Sequence, residues 1–158
     1  MGLPSTGSIS MSQVNTELKK SATAVISLND SDVRKLAGKS SGTISMGDLR
    51  GKKASESVTD YQIYSNSWSG EVSGNFTFNF PKKVIFGKIF AISKNSGFDE
   101  KMGSVTINGT KISSQGTTIN INSGTTTMSG TFFTGWNTSR PERLKITVDI
   151  KFTGEWEA

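Results

Sequence analysis

The second half of the chain alternates. In "RLKITVDIKF", Leu144, Ile146, Val148, Ile150 and Phe152 take one set of positions, and Lys145, Thr147, Asp149 and Lys151 take the other. Successive side chains on a strand point to opposite faces, so this pattern predicts a strand with one face in a core and one in water. "NFTFNF" places Phe76, Phe78 and Phe80 in the same way. "KVIFGKIFAI" is apolar at both sets of positions and predicts a central strand. Asn108-Gly109 in "SVTINGTKIS" is a hairpin turn signal. "TININSGTTTM" predicts a second hairpin turning at Ser123-Gly124, and "GTFFTG" supplies one more strand. Seven or eight strands with no helical periodicity between Val58 and Phe152 predict an antiparallel β-sandwich or jelly-roll-like domain.

The first 53 residues have a different pattern. Ser5 to Met11, "STGSISM", returns as Ser40 to Met46, "SSGTISM". A third relative lies between them, so that Ile9, Ile26 and Ile44 each precede Ser and then Met or Leu. A polar turn and a Val or Leu (Val14, Val33, Leu49) come next in each copy, and then a basic ending. Met11, Val14 and Leu18 make one helical stripe. Asp30 is placed to cap a helix from Ser31 to Ala37, with Gly38 as its stop. The last copy has room for a single turn before Gly51. Each unit is too short to hold a helix alone in water. The repeat must therefore pack on its own copies, on the second half or on another protein. The division expected is an arm with short helical turns at 1–53 and a mainly β domain at 54–158, joined through "GKKASESVTD".

Composition removes several chemistries. The 158 residues include no Cys and no His. That excludes disulfides, thiolate zinc sites, cysteine nucleophiles and the usual Ser-His-Asp arrangement. No P-loop, nucleophile elbow or zinc spacing occurs, so neither catalytic residues nor cofactors are expected. The net charge is +5, but the basic residues are scattered and read as a solvated surface, so no nucleic-acid partner is expected. No run reaches the length of a membrane helix, and the start lacks the basic and apolar regions of a secretory signal. "NDSD" at 29–32 lacks the Gly and distal Glu of a calcium loop, so no metal site is assigned there.

The arm resembles an N-terminal segment that recurs in tailed-bacteriophage virion proteins of the tail and tail-fibre type. The likeness rests on "QVNTEL" at Gln13–Leu18, "VRKLAG" at Val33–Gly38 and "GDLRGK" at Gly47–Lys52. Gly47 departs from the Ser of that pattern. The resemblance covers about a third of the chain and implies a virion component. No family resemblance is found in residues 54–158.

The function expected is a non-enzymatic structural protein of a phage particle, tail-associated as a tail, baseplate, collar or fibre component. Its partners would be other virion proteins and further copies of itself in a symmetric assembly. The docking set expected is Ile9, Met11, Val14, Leu18, Ile26, Leu28, Val33, Leu36, Ile44, Met46 and Leu49. The alternative for these side chains is pairing of the first and third units inside the chain. The alternative function is a receptor- or glycan-binding module of a tail fibre. Its contact loop would join Trp136 and Asn137 to Arg140 and Arg143, an aromatic and arginine mixture found at interface hot spots. Trp68 in "SNSWSGE" has a weaker claim of the same kind.

Overall fold

A computed structural model of the chain describes residues 2–70, 72–96, 103–135 and 145–158. The chain divides into two compact units, Met1–Glu56 with Ala158, and Ser57–Glu157. The boundary falls inside the expected linker because that segment is strand: β1 runs Ser55–Ser69. Val58, Ile63, Tyr64 and Trp68 pack against the core from it, with the period of two interrupted near Asp60, which sits at φ 51°.

The second unit is a sandwich of two four-stranded antiparallel sheets, and the chain as a whole is mainly β. The other strands are β2 (Val72–Asn79), β3 (Val84–Ser96), β4 (Gly103–Ile107), β5 (Thr110–Lys111), β6 (Thr117–Ile121), β7 (Thr127–Thr134) and β8 (Lys145–Glu157). One sheet has the order β1-β8-β3-β6 and the other β2-β7-β4-β5. The inward residues of β8, namely Ile146, Val148, Ile150 and Phe152, are buried as the alternation requires. Phe76 and Phe78 of β2 and Phe80 just past its end join them in the core, and Phe80 meets Phe152 edge-on at 5.4 Å. Full burial of each such side chain contributes about 1.5–3 kcal/mol.

β3 is central as expected, between β8 and β6, and its outer face carries Phe86, 53% exposed, and Phe90, 43% exposed. Two other expectations change. The Asn108-Gly109 turn joins β4 to β5 with both residues at positive φ, as expected. The Ser123-Gly124 turn makes no hairpin, because β6 and β7 belong to different sheets and the turn carries the chain across the sandwich. Trp68 lies in β1, not a loop, and stacks on Phe132 at 4.0 Å.

The first unit has helices α1 (Met11–Glu17) and α2 (Ser31–Ala37) and one 3-10 turn, Met46–Leu49. It has a core of its own. Leu3, Val14, Val33, Leu36, Ala37, Ile44 and Leu49 are buried together. Backbone bonds from Leu3 to Lys52 and from Gly51 to Pro4 close its two ends. The repeat therefore packs on its own copies.

Candidate functional site

The repeated phrase has one local job in all three copies. The Ser after each Ile has its backbone N–H satisfied by the side chain three residues on. Ser10 donates to Gln13 Oε1 at 2.8 Å, Ser27 to Asp30 Oδ2 at 3.0 Å, and Ser45 to Asp48 Oδ2 at 2.8 Å. In the first and third copies the Ser is the N-cap of the next turn and a capping box forms. The Ile before the cap and the apolar residue four positions after it then share the core, as Ile9 with Val14 and Ile44 with Leu49. That is the arrangement of a hydrophobic staple, which sets the angle at which the chain enters the helix.

In the middle copy the same bond closes a turn one step before α2. Asp30 occupies the N-cap position but makes no side-chain cap, because its carboxylate is already held by Ser27. Gly38 ends α2 in the left-handed region at φ 72°, as expected. Asn29 and Asp32 of "NDSD" are also engaged. Asn29 Oδ1 accepts from Arg34 at 2.7 and 2.9 Å, and Asp32 pairs with Lys20 at 2.9 Å. Arg34 also donates to the Gly42 carbonyl at 2.9 Å, tying α2 to the segment that leads into the third copy.

The expected docking set is largely turned inward. Val14, Val33, Leu36, Ile44 and Leu49 are buried in the unit's own core. Ile9, Leu18, Ile26, Leu28 and Met46 are half-buried against it. The five buried side chains are spent on the unit's own core, and the five half-buried ones keep part of their surface exposed. Met11 is half-buried and lies outside that cluster. Val25 is fully exposed, and the sequence pattern did not single it out.

Two further residues of this unit matter and had no sequence signal. Asn15 is buried, and its Nδ2 donates to the Ala24 carbonyl at 2.7 Å and the Ala22 carbonyl at 3.3 Å, holding the loop that presents Val25. Asp48 pairs with Lys39 at 2.8 Å and accepts from both N–H and O–H of Ser45. The Lys39 ammonium, with the Ser45 donors, lowers its carboxyl to a pKa of about 2.

In the β unit, Trp136, Asn137, Arg140 and Arg143 lie outside the described residues. The sheet β2-β7-β4-β5 turns outward Ser73, Asn75, Thr77 and Ser129, and also Phe133, which pairs with Ser73 and is 49% exposed. The other sheet turns out Phe86, Lys88 and Phe90 from β3, with Asn120 and Thr118 of β6 beside Lys88 and Phe90. At the end of β6, a recess of about 180 Å³ is lined by Asn108, Asn120, Asn122, Thr125, Thr127 and Ser129, with Ile121 and Met128 at its apolar side. Among the described residues, no three His, Cys, Asp or Glu side chains gather to hold a metal ion. No helix among them is long and apolar enough to cross a membrane. Comparison with family models, with curated proteins and with solved structures returns no match to this chain.

Proposed function

We propose that this chain is a non-enzymatic structural component of a tailed-phage particle, tail-associated, with the N-terminal unit as its attachment element and the β-sandwich as its body. One observation carries this. The stretch with the phage-arm resemblance, residues 1–53, coincides with a separately packed unit ending at Glu56. An element that recurs ahead of unrelated domains needs to fold independently of the domain behind it, and a private core meets that need.

The attachment mode differs from the one the apolar repeat suggested. The repeated phrase builds the unit, and the unit's exterior meets the neighbouring virion protein. Val25, fully exposed on the loop held by Asn15, is the apolar contact point on that exterior. Copies of the chain would meet equivalent neighbours in a symmetric assembly.

Particle incorporation tests the proposal. Particles assembled with a chain lacking residues 1–56 should lose the β unit from the purified virion, while the Val25→Asp chain should be incorporated poorly and melt normally. Normal incorporation of the truncated chain would overturn the attachment role.

A further inference from the structure

Lysines scattered along the sequence come together on the outer face of the β1-β8-β3-β6 sheet. β3 turns outward Phe86, Lys88, Phe90, Ile92 and Lys94, and all but Ile92 are exposed. Across the β3–β8 register Lys151 stands opposite Phe90. Opposite residues of an antiparallel pair have Cβ atoms about 5 Å apart, and Lys88 lies two residues, about 7 Å, from each ring. Lys88 and Lys151 therefore flank Phe90, and Lys94 extends the row. The three ammonium groups make no ion pair or hydrogen bond with the described residues.

The carboxylates lie to one side of this row. β3 and β6 carry none. Those of the face come from β8 and β1. Asp149, opposite Ile92, is held by Ser65 Oγ at 2.6 Å, and Glu155, opposite Phe86, is half-buried. Asp60 of β1 donates its N–H to Thr153 Oγ1 at 3.2 Å. The β3–β6 half of the face is thus basic and aromatic. The Phe90 ring has a fixed pose there. One side is open, with the residue 43% exposed, and the ring covers Gly116 in the turn before β6, where a Cβ would overlap Phe90 Cζ. Gly116 takes φ 107°, a conformation that other residues rarely adopt.

That combination selects a ligand chemistry: negative charge and flat π faces in one polymer. Single-stranded nucleic acid has both, phosphates to meet the lysines and bases that stack on an aromatic ring. Asn120, opposite Lys88 on β6, offers a carboxamide to a base edge. A duplex keeps its bases stacked inside and presents only their edges in grooves, which a sheet face does not enter. Two separated half-exposed rings fall short of the contiguous apolar area of a few hundred Å² that marks a protein interface. We infer that this face binds single-stranded nucleic acid, with a base on Phe90 and the phosphate backbone along Lys88, Lys94 and Lys151. The inference does not rest on the attachment role, because it is read on the purified chain and needs no particle.

The test is fluorescence anisotropy of labelled oligo-dT and oligo-U with the full chain over a series of salt concentrations. At least one of them should bind, and log affinity should fall with log salt at a slope of about −2, the value for three phosphate contacts on a single strand. Lys88→Gln and Lys151→Gln should each weaken binding and make the slope shallower by about 0.7. Phe90→Leu keeps apolar bulk over Gly116 and removes the π face. It should weaken binding by about tenfold with the slope unchanged. Ser73→Ala on the other sheet should change neither. Tryptophan fluorescence checks that each variant melts normally, and the surface lysine variants decide alone if Phe90→Leu does not. Absence of binding to both oligonucleotides at low salt overturns the inference. So does unaltered binding by both lysine variants. Equal affinity for a duplex, or full affinity in a normally melting Phe90→Leu chain from which heparin displaces the strand, would reduce the face to a general polyanion patch and overturn it. A dimer in sedimentation that Phe90→Leu abolishes would assign the face to a second copy of the chain and overturn it as well.

Discussion

Gly87 and Gly154 face each other across the β3–β8 pair, and the ring of Phe152 lies over the space their side chains would fill. A Cβ on Gly87 would come within 2.7 Å of Phe152 Cε2, and one on Gly154 within 2.3 Å of the Phe86 carbonyl oxygen. The gap lets Phe152 stack on Trp156 at 5.4 Å with the rings nearly parallel. Gly87→Ala and Gly154→Ala should each cost about 1–3 kcal/mol through overpacking. Urea unfolding monitored by tryptophan fluorescence measures this, and a neutral result at both positions would contradict the placement of the ring.

The two faces of β8 should respond in opposite ways. Val148 is fully buried, so Val148→Asp places an unpaired charge in the core and should cost more than about 4 kcal/mol or prevent folding. Lys145 faces water, and Lys145→Ser should change stability by less than about 0.5 kcal/mol. Equal effects would contradict the inward and outward assignment of the strand.

Damage to the N-terminal core should stay in that unit. Leu49 is completely buried, and Leu49→Ala should cost about 2–5 kcal/mol there. Residues 1–56 contain no Phe, Tyr or Trp, so tryptophan fluorescence reports on the β unit alone. The full-length variant should lose helical circular dichroism at 222 nm at a lower temperature while its fluorescence melt stays in place. A shift of both signals together would mean that the units do not unfold separately.

The Asp48 carboxyl gives the N-terminal unit an acid limit. Its folded pKa of about 2 lies below the ordinary value of about 3.9, so folding favours the ionised form. The stabilisation is complete above about pH 4 and is lost as pH falls toward about 2. Carboxyl NMR titration of the folded chain should give an apparent value near 2 for Asp48. Lys39→Gln should raise it, since the Lys39 ammonium is the main cause of the lowering. An ordinary value in the unsubstituted chain would show that the Lys39 pair does not form in solution.

The elements legible in the sequence are those whose signals are local. The alternation of Ile146, Val148, Ile150 and Phe152 marked out β8, because a strand's period of two depends only on its own backbone. Helix Ser31–Ala37 and its stop at Gly38 were legible for the same reason, as was the Asn108-Gly109 turn. The Ile-Ser-Met/Leu phrase was visible as a repeat, and its hydrogen bonds span three residues.

The features left open needed partners far away in the chain. The Ser123-Gly124 turn has the composition of a hairpin, but whether β6 pairs with β7 or β3 is settled by the competition among all strands. The apolar residues of the repeat were equally suited to a neighbour's groove or to one another, and only closure of the unit between Leu3 and Lys52 turned them inward. Phe86 and Phe90 share the periodicity of a covered face, yet both stay about half-exposed. Periodicity states which side chains share a face; what covers that face is a question of long-range packing, where many weak contacts between distant segments outweigh any local preference.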